Sequence, residues 1–306
     1  MNKTDICNQI DNAIKSLTDL KNLITENGTI IAEPQPTTEI PVSESKEISD
    51  FESLKKALHS DNWPVAVNPN LICDTNSESD KKERGIGILE LIIEDSIQGE
   101  KFLDFGCGEG HCVTAAPDIL KCSLSVGYDK KQINWPTIEK TFFTSSFEEV
   151  VKMGPYAAIL MFDVLDHCDG ETSQELLNKA AKVLAPNGKI YMRCHPWISR
   201  HGTHLYHKLN KAYAHIVFTE EELSQLSDYV PENNAKVAFP LASYSKIIED
   251  AGLKIQTQRN ITEKVDSFFK IPMLAERIMK NTGHQTFPEF QMGLSFIDYI
   301  LKKNQE

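Results

Sequence analysis

Glycine recurs at alternate positions in Leu103-Asp104-Phe105-Gly106-Cys107-Gly108-Glu109-Gly110-His111, between a β-rich run and a helical stretch. Glycines there let the backbone turn tightly and let a ligand come into van der Waals contact with the main chain. A dinucleotide site prefers GxGxxG with a pyrophosphate on the helix N-terminus, whereas Gly110 comes one position early. Asp104 would repel a pyrophosphate but suits an ammonium or sulfonium ligand. A nicotinamide oxidoreductase is disfavoured on both grounds. Asp129 ends the next β-rich run, and a carboxylate at that place can accept hydrogen bonds from both hydroxyls of a ribose.

Further polar residues fall at the ends of later β-rich runs. The third ends in Thr144-Ser145-Ser146-Phe147, able to hydrogen-bond and stack but also a good helix start. The fourth ends in Phe162-Asp163-Val164-Leu165-Asp166-His167, and the fifth runs into His195-Pro196-Trp197-Ile198-Ser199-Arg200-His201. In open α/β sheets ligands bind beyond the C-terminal ends of the strands, so these groups share one edge.

The glycine run resembles the first motif of the Rossmann-like (class I) S-adenosylmethionine-dependent methyltransferases. The stretch from Ile159 to Gly188 resembles the corresponding pattern of their small-molecule-type branch. The resemblance spans roughly residues 85–260 by domain size. It implies S-adenosylmethionine as cofactor. The loop Gly106, Cys107, Gly108 and Gly110 would hold its methionine part, with Asp104 near the ammonium and Asp129 on the ribose. Ser145, Ser146 and Phe147 would surround adenine, and Phe162 and Asp163 would lie beside the reacting methyl.

Methyl transfer needs alignment first, and a base only when the acceptor carries a proton. Histidine titrates near neutrality, which makes His167 and His195 the candidate bases. Between Leu176 and Thr219 there is no Asp or Glu, but seven Lys or Arg and five His, in a chain of net charge −12. That asymmetry suggests an anionic small-molecule or phosphate-bearing acceptor, with Arg200 as clamp, Trp197 as stacking surface and His201 beside them. The competing reading is a solvated basic face. Nucleic acid as acceptor has no recognisable module to support it. His201, His204 and His207 have no neighbouring Cys or carboxylate, so no metal is expected there.

Positioning these groups requires alternation of strand and helix. β-rich runs at 101–105, 123–129, 140–144, 156–164 and 188–194 alternate with helical stretches at 113–120, 134–139, 147–153 and 173–184. A helix at 243–251, a strand at 253–259 and a final strand at 292–302 follow. The expected fold is α/β: a doubly wound, mostly parallel seven-stranded sheet. Residues 50–306 are the expected methyltransferase-like domain, with insertions 196–240 and 264–291 near the acceptor side. Residues 204–216 read as an amphipathic helix with His204, Lys208, Lys211 and His215 on its polar face.

Ahead of the domain, Ile6, Ile10, Ala13, Leu17, Leu20 and Ile24 step as a heptad seam, so residues 1–27 read as a coiled-coil helix. Residues 28–49, rich in Pro, Thr, Ser and Glu, read as a linker. A homo-oligomer through residues 4–26 follows. The seven Cys form no CxxC pair and read as reduced thiols of a cytoplasmic protein, and no apolar run is long enough to span a membrane. The alternative to an active enzyme is a silent methyltransferase-fold scaffold joined by this coil.

Overall fold

The computed structural model describes residues 50–68, 77–168, 170–202, 205–226 and 241–304. The expected coil and linker lie outside the described residues. Ser49–Glu306 forms one compact unit.

Its centre is a seven-stranded sheet in the order β3-β2-β1-β4-β5-β7-β6. The strands are β1 (Lys101–Phe105), β2 (Leu124–Tyr128), β3 (Thr141–Thr144), β4 (Tyr156–Phe162), β5 (Leu184–Cys194), β6 (Leu253–Thr262) and β7 (Leu294–Lys303). The first five are parallel, and β7 runs antiparallel to both β5 and β6. The chain leaves β1 towards β2 and β3 on one side, then returns to β4 and β5 on the other. The crevice outside β1 and β4 is therefore the switch point at which such sheets bind ligands.

Helices cover both faces. α1 (Asp50–Leu58) stands apart. α2 (Glu78–Ile92) and α3 (His111–Ile119) bury Leu89, Ile92, Cys112, Ala115 and Ala116 against Phe102, Ala158 and Leu160. Ser77 opens α2 with a reciprocal capping box to Asp80. The opposite face carries α4 (Phe147–Met153), α5 (Gly170–Val183) and later α8 (Leu241–Asp250), through Val150, Leu177, Ala180 and Ile248. Because successive strand residues point to opposite faces, Ile159 and Met161 serve one layer and Ala158 and Leu160 the other.

A second apolar core lies beside the sheet. It joins three distant segments: α1 and Trp63; residues 198–223, including α6 (Ala214–Val217) and α7 (Glu220–Leu226); and residues 265–292, including α9 (Pro272–Thr282) and α10 (Glu289–Met292). Trp63 is fully buried against Phe218, Phe268 and Phe269, with ring centroids 5.2–5.9 Å apart. We refer to this unit as the cap.

Two expected helices do not form. Residues 134–139 are irregular, with Pro136 lacking an N–H and the Trp135 indole turned back to donate to Gly108 O at 2.8 Å. Among the described residues 205–217, only a short turn at Leu205–His207 and the four residues of α6 are helical. Tertiary bonds win over helical periodicity there. The Asn210 amide bonds both the N–H and the carbonyl of Val67, at 2.8 and 2.7 Å. Ala212 donates to Pro64 O and accepts from the Trp63 indole. His215, expected on the polar face, is buried.

Candidate active site

The glycine loop leaves the C-terminal end of β1. Gly106 N–H and Cys107 N–H both donate to Tyr128 O, at 2.7 and 3.0 Å, which ties the turn to the end of β2. Gly106 and Gly110 have φ of +91° and +85°. A Cβ on Gly106 would meet the Val164 side chain at 2.7 Å, and one on Gly110 the Phe143 ring at 2.4 Å. Packing and backbone sign both require glycine at these positions. At Gly108, φ is +49° and the Cβ direction faces open space, so a ligand can approach the main chain there.

Asp129 accepts from Gly108 N–H at 3.0 Å and from Lys131 N–H at 2.9 Å, one bond to each oxygen. Each carboxylate oxygen keeps a further lone pair, so two hydroxyls can still be bound. Asp104 is buried, and its carboxyl is pushed up to about 7, first by burial and then by Asp129. Two acids this close make a hole suited to a cation. The Cys107 thiol is pushed up by burial, with Asp104 and Asp129 adding to it, which removes it as a thiolate nucleophile. These features fit a ligand that carries a ribose and a positive charge.

At the end of β3, Ser145 is exposed. Ser146 occupies the N-cap of α4, and its hydroxyl donates to Glu148. Phe147 packs edge-on against Phe105 and Tyr128 in the sheet core, 6.4 and 5.9 Å away.

β4 and β5 are paired in parallel with Phe162 beside Arg193, so Asp163, one residue on, and His195, two residues on, leave the sheet at the same edge. Asp163 has φ +54°, an uncommon conformation for a non-glycine residue, and its N–H donates to Arg193 O at 2.9 Å. Its Oδ1 lies 4.0 Å from His195 Nδ1, and His195 Nε2 lies 3.1 Å from Asp166 Oδ2. Asp166 and His195 are buried, while Asp163 keeps 23% of its side chain exposed. Burial pushes Asp163 up to about 7 against the pull of Arg193 and Arg84. Burial, and then Asp163, holds Asp166 well above the usual carboxylate range.

Phe162 turns to the other face under the Arg193 guanidinium, 5.6 Å from its ring, and Phe296 lies 4.9 Å from the same group. Arg193 is paired with Asp298 through two bonds of 2.6 and 2.8 Å. His167 is exposed, on the turn that follows β4.

His201 comes edge-on to His195 at 5.3 Å and packs on Phe296 and Tyr206. Burial, and then Arg200, pulls its pKa down to about 4, so it is neutral at neutral pH. Trp197 and Arg200 lie in the cap instead. Trp197 packs on the His215 ring at 5.7 Å. Arg200 binds Asp266 at 2.6 Å and Val65 O at 3.0 Å, which staples the three cap segments together. Lys179, Lys189 and Arg193 are likewise paired, with Glu175, Asp95 and Asp298, so much of the basic segment is neutralised internally.

The structure thus gathers Asp104, Gly106, Gly108, Gly110 and Asp129 at one point, and Asp163, His195 and His201 at another. Asp166, Tyr206 and Phe296 join the second group, and Arg84 of α2 acts electrostatically on Asp163 and Tyr206. Gly85 lets α2 lean on the start of α3, since a Cβ there would meet His111 O at 2.2 Å. Arg84 carries no motif, and Phe296 sits about a hundred residues from its partners (296 − 195), so only the β5–β7 register reveals it.

A family model described as a methyltransferase domain matches residues 81–258. Together with the strand order and the glycine loop, this decides the family. The chain belongs to the class I S-adenosylmethionine-dependent methyltransferases, and S-adenosylmethionine is the cofactor that its loop residues fit. A methyltransferase from Archaeoglobus fulgidus is similar in structure, with 15% identity over 72% of this chain and 94% of its own, at a TM-score of 0.44. So is the plantazolicin methyltransferase BamL, solved with a desmethyl-plantazolicin analogue and S-adenosylhomocysteine. It has 14% identity over 85% of this chain and 92% of its own, at a TM-score of 0.42. No protein of curated function matches the chain. Among the described residues, no helix is long and apolar enough to cross a membrane.

Proposed function

We propose that the chain is an active methyltransferase whose acceptor meets the cofactor at the end of β4. The observation that carries this reading is the folded pair of acids, Asp104 and Asp129, around a glycine loop with one open backbone face. When bound, the cofactor supplies a methyl group already activated on a sulfonium. Gly106, Cys107, Gly108 and Gly110 bind its methionine part through the main chain. Asp104 faces the positive charge, and Asp129 holds the ribose. Ser145 and Ser146 border the adenine, with Phe147 fixing their loop from beneath.

Phe162 and Asp163 set the acceptor side of the crevice, and His201 lines it as a neutral ring. The acceptor loses its proton at the cluster of Asp163, Asp166 and His195, with His195 between the two carboxylates. His167, exposed on the rim, is the other candidate base. Trp197 and Arg200 act by holding the cap that carries His201. The charge asymmetry suggested an anionic acceptor. With Arg200 committed to Asp266, Arg84, which acts on Asp163 and Tyr206, takes its place as the cation for an anionic, O- or N-methylated acceptor that carries a transferable proton. We also propose residues 1–27 as an oligomerising coil, 28–49 as a linker and a cytoplasmic location.

Calorimetric titration with S-adenosylmethionine and S-adenosylhomocysteine tests the first step. Saturable binding that weakens at least about tenfold in Asp129→Ala is expected, since two hydrogen bonds to a carboxylate are lost. No binding by well-folded protein would sink the reading and leave the scaffold in its place. Turnover of bound labelled cofactor with a panel of hydroxyl and amine acceptors tests the second step.

A further inference from the structure

We propose that Asp163, Asp166 and His195 form a site for one divalent first-row transition-metal ion at the acceptor end of the sheet. The inference rests on the methyltransferase reading of the crevice and names how the cluster there acts.

One ligand atom from each residue lies within 4.8 Å of the other two, which is the spacing a single ion can bridge with small side-chain shifts. Among the described residues the Oδ1 of Asp163 is buried and makes no hydrogen bond, and it faces His195 Nδ1 from 4.0 Å, beyond hydrogen-bond range. A buried carboxylate oxygen in that state is costly unless something cationic reaches it. Of the guanidiniums that act on Asp163, Arg193 gives both its bonds to Asp298. Arg84 acts on Asp163 from an exposed position on α2. The cluster therefore places two carboxyl groups and an imidazole together in low dielectric.

Imidazole suits Zn2+, Fe2+ and Co2+, carboxylates suit Mn2+ and Mg2+, and the mixture favours the first-row ions over Ca2+. Three protein ligands leave coordination positions open, as in catalytic rather than structural sites. Asp163, the ligand with partial exposure, directs those positions into the crevice. An acceptor hydroxyl bound there would ionise more readily, so the cluster would act by lowering the acceptor's pKa. The three ligands come from two strand ends thirty-two positions apart (195 − 163), with no metal-binding spacing in the sequence.

The test uses the full chain stripped with chelator. It is titrated with CoCl2 and followed by visible absorption, then with MnCl2 and ZnCl2 by calorimetry. S-adenosylmethionine binding is measured on the same preparations. One saturable ion per chain is expected, weakened at least about tenfold in Asp166→Asn and in His195→Gln. Asp163→Asn, the least buried of the three, serves if either of those fails to fold. Cofactor binding should persist in folded Asp166→Asn and His195→Gln. No saturable binding by a wild type that binds the cofactor would overturn the ion site alone, as would binding indifferent to all three substitutions. Ion binding without cofactor binding would uphold the site and overturn the methyltransferase reading.

Discussion

The cofactor end of the sheet and the cap bury ionisable groups of opposite kinds. At the cofactor end of the sheet, Asp104 is held up at about 7 near the end of β1, and Asp163 and Asp166 are raised after β4. In the cap segment, His201 and His215 are held down at about 4, in both cases chiefly by burial. Each region hides the neutral form of its group, but the acids would be charged in an unfolded chain near neutrality and the histidines only in acid. The two regions also differ in assembly. The loop is built from nine consecutive residues tied to the neighbouring strand end. The cap is built from three separate segments, the first lying more than a hundred residues before the second, closed by the Trp63 cluster and by Arg200 bridging Val65 and Asp266.

The largest effect should come from removing the aromatic centre of the cap. Trp63→Ala deletes a fully buried ring with three aromatic neighbours and the indole bond to Ala212 O, and should cost about 3–5 kcal/mol. Denaturant unfolding measures this. At low temperature, where the variant remains folded, its affinity for S-adenosylmethionine should change little, because none of these atoms touches the glycine loop. A fall in affinity in proportion to stability would mean that cap and cofactor end form one cooperative unit.

This contrast also governs how much was legible in the sequence. The glycine loop, Asp129 and the strand-helix alternation are local signals. A turn that needs positive φ selects glycine, and a buried parallel strand selects apolar runs such as Tyr156–Phe162. The mostly parallel sheet was expected from them, and the final strand from its own β-rich residues Leu294, Phe296, Tyr299 and Ile300. The cap was illegible because its determinants are tertiary. Residues 204–216 carry helical periodicity, but Asn210 and Ala212 exchange backbone bonds with residues 63–67. Arg200 looked like a free cation because its partner, Asp266, is sixty-six positions away. The meeting of Asp163 with His195 required the β4–β5 register, which periodicity does not supply.

A smaller but still large effect should appear at the other region. Gly110→Ala forces a side chain into a left-handed backbone conformation and onto the Phe143 ring, which itself stacks on Trp135 at 5.4 Å. Strain and displacement together should cost about 2–4 kcal/mol. Unlike Trp63→Ala, this variant should also lose cofactor affinity by at least about tenfold when folded, because the loop itself is displaced. Unchanged affinity would place the cofactor away from Gly110.

The most gradual effects, at most about 1.4 kcal/mol for each pH unit, are the pH limbs that separate the two regions. Asp104 has a folded pKa of about 7 against 3.8 unfolded, so between those values the unfolded chain has lost a proton that the folded one keeps. Stability contributed by that site therefore falls as pH rises from about 4 to about 7. His201 has a folded pKa of about 4 against 6.5 unfolded, so the unfolded chain gains a proton first on acidification, and stability falls as pH drops from 6.5 towards 4. Urea midpoints across this range should show Asp104→Asn flattening the decline towards neutrality and His201→Phe flattening the decline into acid. Since a cationic cofactor favours the ionised Asp104, affinity for S-adenosylmethionine should rise with pH up to about 7 in the wild type and lose that slope in Asp104→Asn. A slope that survives the substitution would assign the charge recognition to another acid, with Asp129 the nearest in reach.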